Sequence, residues 1–179
     1  MKYAVFFRNL NLGRANCPSR AQLEQAFIAA GAGSVESFLT NGTLVFSLQP
    51  GHRPRQVLAT ACAALRASCG LKEPGFIRRL DDLAGLVRNN PFSAVAPGSF
   101  YQCCITFLHD GMLQLPAVPL ESARRDVAVL RFTDSEALSL SRKVGNTPGS
   151  PNAFLEKLLG TAATTRSWTT VVRLVQRYA

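Results

Sequence analysis

The spacing of hydrophobic and polar positions divides the first half of the chain into short strands and two helices. Residues 2–8 form a mainly apolar run that predicts a strand. Ser19 suits the N-cap of a helix, because the apolar residues after it recur at helical spacing: Leu23, Ala26, Phe27 and Ala30. A second helix is predicted between Pro54 and Gly70, with a buried stripe of Leu58, Ala61, Cys62, Leu65 and Cys69.

The segment between these helices has the pattern of a β-hairpin. Asn41-Gly42 lies between two apolar runs, and both central positions of a two-residue type I′ turn require a positive φ. A last strand is predicted over residues 76–80. The resulting order β-α-β-β-α-β is the split βαβ plan, which is also called the ferredoxin-like fold or α–β plait.

The second half repeats the theme of strands and helices, with a less regular middle. Residues 109–125 are ambiguous, because Pro116 and Pro119 interrupt the pattern. The remaining segments predict strands over 100–108, 126–132 and 137–141, and helices that begin near residues 81, 150 and 166. We therefore predict an α+β protein with a β-α-β-β-α-β subdomain over 1–80 and an α+β subdomain with terminal helices over 81–179.

Charge is the strongest compositional signal. The chain of 179 residues has a formal net charge of +9, which favours polyanions or phosphorylated ligands, although solubility alone could also explain it. No apolar run approaches the ~20 residues that a membrane span needs. The N-terminal run is too short for a signal peptide and lacks a small-residue cleavage site, so we expect a cytoplasmic protein without a membrane partner.

The sequence contains little recognisable catalytic or metal-binding chemistry. Its 5 cysteines form no CxxC pair, so small buried thiols are favoured over a disulfide framework or a zinc site. No GxSxG, HExxH, P-loop or GxGxxG motif occurs. We predict no cofactor and no metal, and whether the protein is an enzyme stays open.

Four motifs resemble those of a bacterial family called domain of unknown function 1697. They are Arg8 to Arg14 after the first strand, Thr40 to Phe46 at the hairpin, Asn90-Pro91-Phe92 in mid-chain, and the long run Glu156 to Val171. The resemblance implies two α–β plait subdomains and no established activity. The chain departs from the family pattern at Thr40-Asn41, Arg14, Ser167 and Thr169, where relatives typically carry Gln-Ser, Gly, Asn and Asn.

Two groups of polar residues are candidates for a binding site. Thr164, Thr165 and Arg166 lie at the predicted start of the last helix, where free N–H groups, hydroxyls and a guanidinium could bind an anion. The alternative is a threonine N-cap, with Arg166 paired to a carboxylate such as Glu156. Arg8 and Asn11 flank the loop after the first strand and could either contribute to a site or form a turn and an ion pair.

The leading hypothesis is a non-catalytic protein that binds an anionic ligand, either nucleic acid or a phosphorylated small molecule, through its basic surface. One alternative is an enzyme of unassigned class with its site in a cleft between the two subdomains. Another is a homodimer that acts through an exposed sheet or helix face. The sequence leaves the oligomeric state unknown.

Overall fold

The computed structural model describes residues 1–111 and 115–179, so part of the ambiguous segment 109–125 lies outside the described residues. The chain divides into two compact units. Unit 1 consists of residues 1–85 together with 174–179, and unit 2 consists of residues 86–173. The predicted subdomains 1–80 and 81–179 stay a prediction; in this division, residues 81–85 and the end of the last helix lie in unit 1.

Unit 1 is built around a four-stranded antiparallel sheet. Its elements in chain order are β1 (Lys2–Phe7), α1 (Arg20–Ala29), β2 (Ala32–Phe38), β3 (Thr43–Leu48), α2 (Pro54–Cys69), β4 (Gly75–Arg79) and the first part of α3 (Leu80–Asn89). The strand order in the sheet is β2-β3-β1-β4, so each crossover through a helix passes over one intervening strand. The last residues of β1 therefore lie beside the first residues of β4, with Phe7 opposite Gly75.

The helix boundaries follow from the residues predicted to set them. The Ser19 hydroxyl accepts the N–H of Gln22, and the Gln22 side chain accepts the N–H of Ser19, which forms a complete capping box. Helix α2 begins with Pro54 and ends at Gly70, whose φ of 73° is left-handed. The order and type of these elements confirm the α+β class.

The hairpin turn is longer than predicted. Strand β2 ends at Phe38 and β3 begins at Thr43, and these two residues are paired across the turn. Positive φ values occur at Leu39 and Gly42, whereas Asn41 is not in the left-handed region. The two-residue type I′ turn at Asn41-Gly42 is thus wrong, because the reversal uses four residues and places its left-handed positions at the two ends.

The core of unit 1 lies between the sheet and helices α1 and α2. Phe27 of α1 is fully buried between Phe7 and Phe46, with ring centroids 6.2 and 5.4 Å away. Val57, Ala61 and Leu65 form the buried face of α2. The predicted stripe is confirmed at Ala61 and Leu65, whereas Leu58 and Cys62 are only partly buried.

Unit 2 contains a five-stranded antiparallel sheet of order β11-β5-β8-β7-β6. Its elements are β5 (Gln102–Phe107), β6 (Leu120–Glu121), β7 (Val127–Phe132), β8 (Glu136–Ser141), β9 (Lys143–Val144), β10 (Thr147–Pro148), α4 (Pro151–Leu159), β11 (Thr164–Ser167) and most of α5 (Trp168–Tyr178). Strands β9 and β10 form a separate two-stranded ribbon. The described residues between β5 and β7 contain no helix, so they do not repeat the element order of unit 1.

Unit 2 has its own small core. Leu155 of α4 is fully buried with Val129 and Ala137 from the sheet. Ser150 caps α4 by accepting the N–H of Ala153, and Gly160 ends it with a left-handed φ of 64°. Within the described residues of the whole chain, none of the helices has the length and apolar character to cross a bilayer.

Candidate functional site

Thr164, Thr165 and Arg166 occupy a strand and not a helix start. They form β11 with Ser167, and Thr165 lies opposite Thr106 of β5. Helix α5 begins only at Trp168, and the Ser167 hydroxyl accepts the N–H of Thr170. The premise that these residues surround the helix N-terminus is wrong, because consecutive β-branched threonines pair well with an adjacent strand.

The side chains of this segment are engaged inside unit 2. Arg166 is only 8% exposed, and its guanidinium donates to the Thr164 hydroxyl and the Thr165 carbonyl, both at 2.9 Å. Burial lowers the pKa of Arg166 to about 10. The Thr165 hydroxyl bonds the Thr106 hydroxyl at 2.8 Å and donates to Asn152 at 3.2 Å. A binding role for these residues stays a prediction, but a helix dipole no longer argues for it, because they do not form the first turn of α5.

Arg8 and Asn11 lie in the loop between β1 and α1. The Arg8 guanidinium forms an ion pair with Glu73 at 2.7 Å, and both side chains are partly exposed. Asn11 is exposed, and its carbonyl accepts the N–H of Arg14 in a turn. Arg8 is therefore tied to the loop between α2 and β4, whereas Asn11 shapes the β1–α1 loop.

These two loops enclose a pocket in unit 1. Its volume is about 560 Å³, and its lining comprises Asn9, Ala15, Asn16, Cys17, Gly70, Leu71, Lys72 and Glu73. The Arg8 N–H donates to the Pro74 carbonyl at 3.0 Å, which joins the loops at their base. Asn9 and Asn16 have φ values of 46° and 57°, a conformation that asparagine tolerates better than most residues. We call this cavity the 9–17/70–73 pocket.

The pocket combines one cation, one ion-paired carboxylate and two amides. Lys72 is exposed and has no carboxylate partner among the described residues. Glu73 is already paired with Arg8, so its negative charge is largely compensated. Asn9 and Asn16 can both donate and accept hydrogen bonds. Nowhere in residues 1–111 and 115–179 do three or more His, Cys, Asp or Glu side chains form a group that could hold a metal ion.

Two of the motifs identified in the sequence meet on the other side of the β1–α1 loop. The Leu12 N–H donates to the Thr40 carbonyl, and the Phe7 N–H donates to the Gly42 carbonyl, both at 2.9 Å. A Cβ atom on Gly42 would lie only 2.8 Å from the Leu10 Cβ. The hairpin turn thus supports the loop that forms one wall of the pocket.

Sequence reasoning missed the other wall, which contains Lys72 and Glu73. A usable signal was present, because the split βαβ order places β4 beside β1 and brings the α2–β4 loop to the end of β1. Most of the excess positive charge of the chain also lies in unit 1, which contains 11 Lys and Arg residues and 5 Asp and Glu residues.

The fold and the pocket define an α+β protein whose first unit presents a small pocket of mixed polar and apolar lining at the end of a central strand. The chain belongs to the family described as "Protein of unknown function (DUF1697)", whose model matches residues 1–137. This match confirms the resemblance seen in the sequence, and it ends before the motif Glu156 to Val171.

A solved structure of similar fold is that of the conserved bacterial protein SP0830 from Streptococcus pneumoniae. The TM-score is 0.64 and the sequence identity is 17%, with 98% of this chain and 97% of that chain covered. At this identity the likeness concerns the fold alone. No curated protein matches the chain.

Proposed function

We propose that this chain is a binding protein for a small anionic molecule, and that the 9–17/70–73 pocket holds the anionic group. The observation that carries the proposal is a pocket of about 560 Å³ whose wall contains Lys72, a lysine with no carboxylate partner in residues 1–111 and 115–179. Cavities of roughly 300–1,000 Å³ are the usual size for small-molecule sites. Lys72 would contact the anion directly, and the amides of Asn9 and Asn16 would orient the rest of the ligand.

Phosphate is the anionic group that best fits these side chains. An ammonium group is a compact point charge that binds phosphate without a fixed approach geometry. Arg8 stands next to the pocket and can exchange part of its interaction with Glu73 for a contact with ligand. The surplus of positive charge in unit 1 would raise the local concentration of anions at the entrance.

A phosphorylated small molecule is favoured over nucleic acid at this position. A pocket of this volume between two loops matches a compact ligand, whereas a nucleic acid strand needs an extended basic groove with stacking side chains. Arg8 of the originally predicted site is retained in this proposal, and Asn11 supports the loop. Thr164, Thr165 and Arg166 are not part of it, because their side chains are committed to contacts in unit 2.

Thermal unfolding with matched ligand pairs tests the proposal. AMP and glucose 6-phosphate should raise the unfolding temperature of the protein, whereas adenosine and glucose at the same concentration should not. A ligand at 100 times its Kd stabilises the folded state by about 2.7 kcal/mol. Equal shifts with the phosphorylated and unphosphorylated members of each pair would contradict an anion site.

Two charge-reversal variants distinguish binding at the pocket from a general effect of the protein's positive charge. Lys72→Glu should abolish the ligand-induced shift, because it places a carboxylate in the wall of the pocket. Arg53→Glu makes the same change of charge at the other end of α2, a helix of 16 residues and so about 24 Å long. Arg53→Glu should keep most of the shift. Equal losses in both variants would mean that only net charge matters.

A further inference from the structure

We infer that unit 2 carries a separate surface that binds single-stranded nucleic acid through an exposed aromatic ring and a cluster of cations. The ring is that of Tyr101, which is 53% exposed. The Lys143 ammonium lies 4.4 Å from the centre of this ring. Arg124, Arg125 and Arg142 complete the surface, which we call the Tyr101 patch.

Backbone hydrogen bonds join the segments that carry the patch. The Tyr101 N–H donates to the Ser141 carbonyl at 2.7 Å, and the Arg142 N–H donates to the Asp126 carbonyl at 2.8 Å. The Arg142 guanidinium also donates to the Arg125 carbonyl. A side chain at Gly149 would collide with the Asp126 carbonyl, since its Cβ would lie 2.1 Å from that oxygen. These contacts fix the main-chain segments that carry Tyr101, Arg125 and Arg142 next to one another.

The charges of the patch are only partly neutralised. Arg124 pairs with Asp126 at 3.4 Å, and Arg142 pairs with Glu121 at 2.9 Å. Arg125 and Lys143 have no carboxylate partner in the part of the chain that the structure describes. Both are exposed, so two unpaired positive charges face the solvent, and that of Lys143 lies against the exposed Tyr101 ring.

This combination fits single-stranded nucleic acid better than other polyanions. Proteins that bind single strands use aromatic rings on which bases stack, together with cations that follow the phosphates. Lys143 lies over one face of the Tyr101 ring, so a base would stack on the opposite face. Lys143 and Arg125 would meet adjacent phosphates. The ribbon of β9 and β10 begins at Lys143 and is exposed along its whole length.

Fluorescence anisotropy with a labelled 12-mer of deoxythymidine tests the inference. The comparison probe is an abasic deoxyribose-phosphate 12-mer, which carries the same charge without bases. The thymidine strand should bind more tightly than the abasic strand, and Tyr101→Ala should weaken its binding by about 5- to 150-fold, the range for loss of one stacked base. Tyr101→Ala should leave binding of the abasic strand nearly unchanged.

Two further variants test which positive side chains contact the phosphates. Lys143→Gln should lower the slope of log affinity against log salt by about 0.7, the value for one phosphate contact with a single strand. Arg131→Gln is the matched control, because Arg131 is exposed on β7 about 13 Å along the strand from the end that carries the patch. It should change neither the affinity nor the slope.

The outcomes distinguish a nucleic acid surface from other possibilities. Equal affinity for the thymidine and abasic strands would reduce the patch to a general polyanion surface and overturn the inference. No binding at low salt would also overturn it. Binding of the 12-mer should not depend on the pocket in unit 1. The Lys72→Glu variant should therefore bind the 12-mer as tightly as the unmodified protein does.

Discussion

Replacing Gly42 by alanine tests whether the hairpin turn supports the wall of the pocket. Gly42 has a φ of 71°, and a Cβ placed on it would lie 2.8 Å from the Cβ of Leu10 and 3.0 Å from the Cβ of Phe7. These atoms are attached directly to the main chain, so they cannot move aside by a change of rotamer. The β1–α1 loop or the turn itself would have to shift.

The expected cost has two parts. An alanine in the left-handed region loses about 1–2 kcal/mol relative to glycine. Overpacking against Leu10 and Phe7 adds about 1–3 kcal/mol. Gly51→Ala is the matched control, because Gly51 has a φ of 81° but nothing lies within 4 Å of the added Cβ. The control should lose only the about 1–2 kcal/mol that a left-handed alanine costs.

Urea unfolding followed by far-UV circular dichroism measures both variants. With a slope of about 2 kcal/mol per M urea, the midpoint of Gly42→Ala should fall roughly 0.5–1.5 M below that of Gly51→Ala. The same variant should also bind AMP less tightly, since the loop that carries Asn9 and Asn16 would be displaced. A midpoint equal to that of Gly51→Ala would refute the close contact between the turn and the loop.

Two further predictions concern the cores of the units. Phe27→Ala should reduce the free energy of unfolding by about 3–5 kcal/mol in the same urea assay, because the ring is fully buried between two other rings. Ile28→Ala, at the neighbouring position that is 44% exposed, should cost less than about 1 kcal/mol, and equal losses would contradict the assigned helix face. Burial raises the pKa of Cys62 to about 11 and that of Cys104 to about 12, so both thiols should react with iodoacetamide at pH 8.5 more than tenfold more slowly than in the urea-unfolded chain. Mass spectrometry that shows labelling of the native protein at the unfolded rate would contradict the shielding of these thiols. The unfolded thiols lose their protons near pH 9 and the folded ones only at higher pH. These two groups should therefore lower the free energy of unfolding as the pH rises from 9 towards 11.

Local chemistry was sufficient to predict most elements of unit 1. Ser19 and Gly70 set helix ends through backbone hydrogen bonds within a few residues, so their effect can be read without knowing the rest of the fold. The hairpin turn was harder, because the four-residue reversal depends on packing of Gly42 against Leu10, which is distant in sequence. The buried face of α2 was predicted only in part, because alanine and cysteine are tolerated on both faces of a half-buried helix.

The last helix shows a different limit of sequence reasoning. Thr164 and Thr165 precede a strongly periodic segment, and hydroxyl residues before such a segment normally indicate an N-cap. The actual cap is Ser167, and the threonines are drawn into β11 by pairing with β5. A strand of four residues at a sheet edge has almost no periodic signal of its own, so only the tertiary partner could identify it.

None of the site residues predicted from the sequence lines the pocket, although Arg8 contacts it through Glu73. Arg8 could be chosen from the loop after β1, but its partner Glu73 and the unpaired Lys72 come from a loop more than 60 residues later. They are joined by the register of β1 with β4, which places Phe7 opposite Gly75. The sequence predicted the order of elements along the chain and did not identify which polar residues the strands would carry to the same edge.

The central claim is that the 9–17/70–73 pocket binds the anionic part of a small ligand. A titration of the ¹⁵N-labelled protein with AMP, followed by amide chemical shifts, tests it most directly. We expect saturable shifts that centre on Asn9, Asn16, Cys17 and residues 70–73, and that are absent with adenosine. Shifts that centre instead on residues 164–166, or that are the same with adenosine, would contradict it.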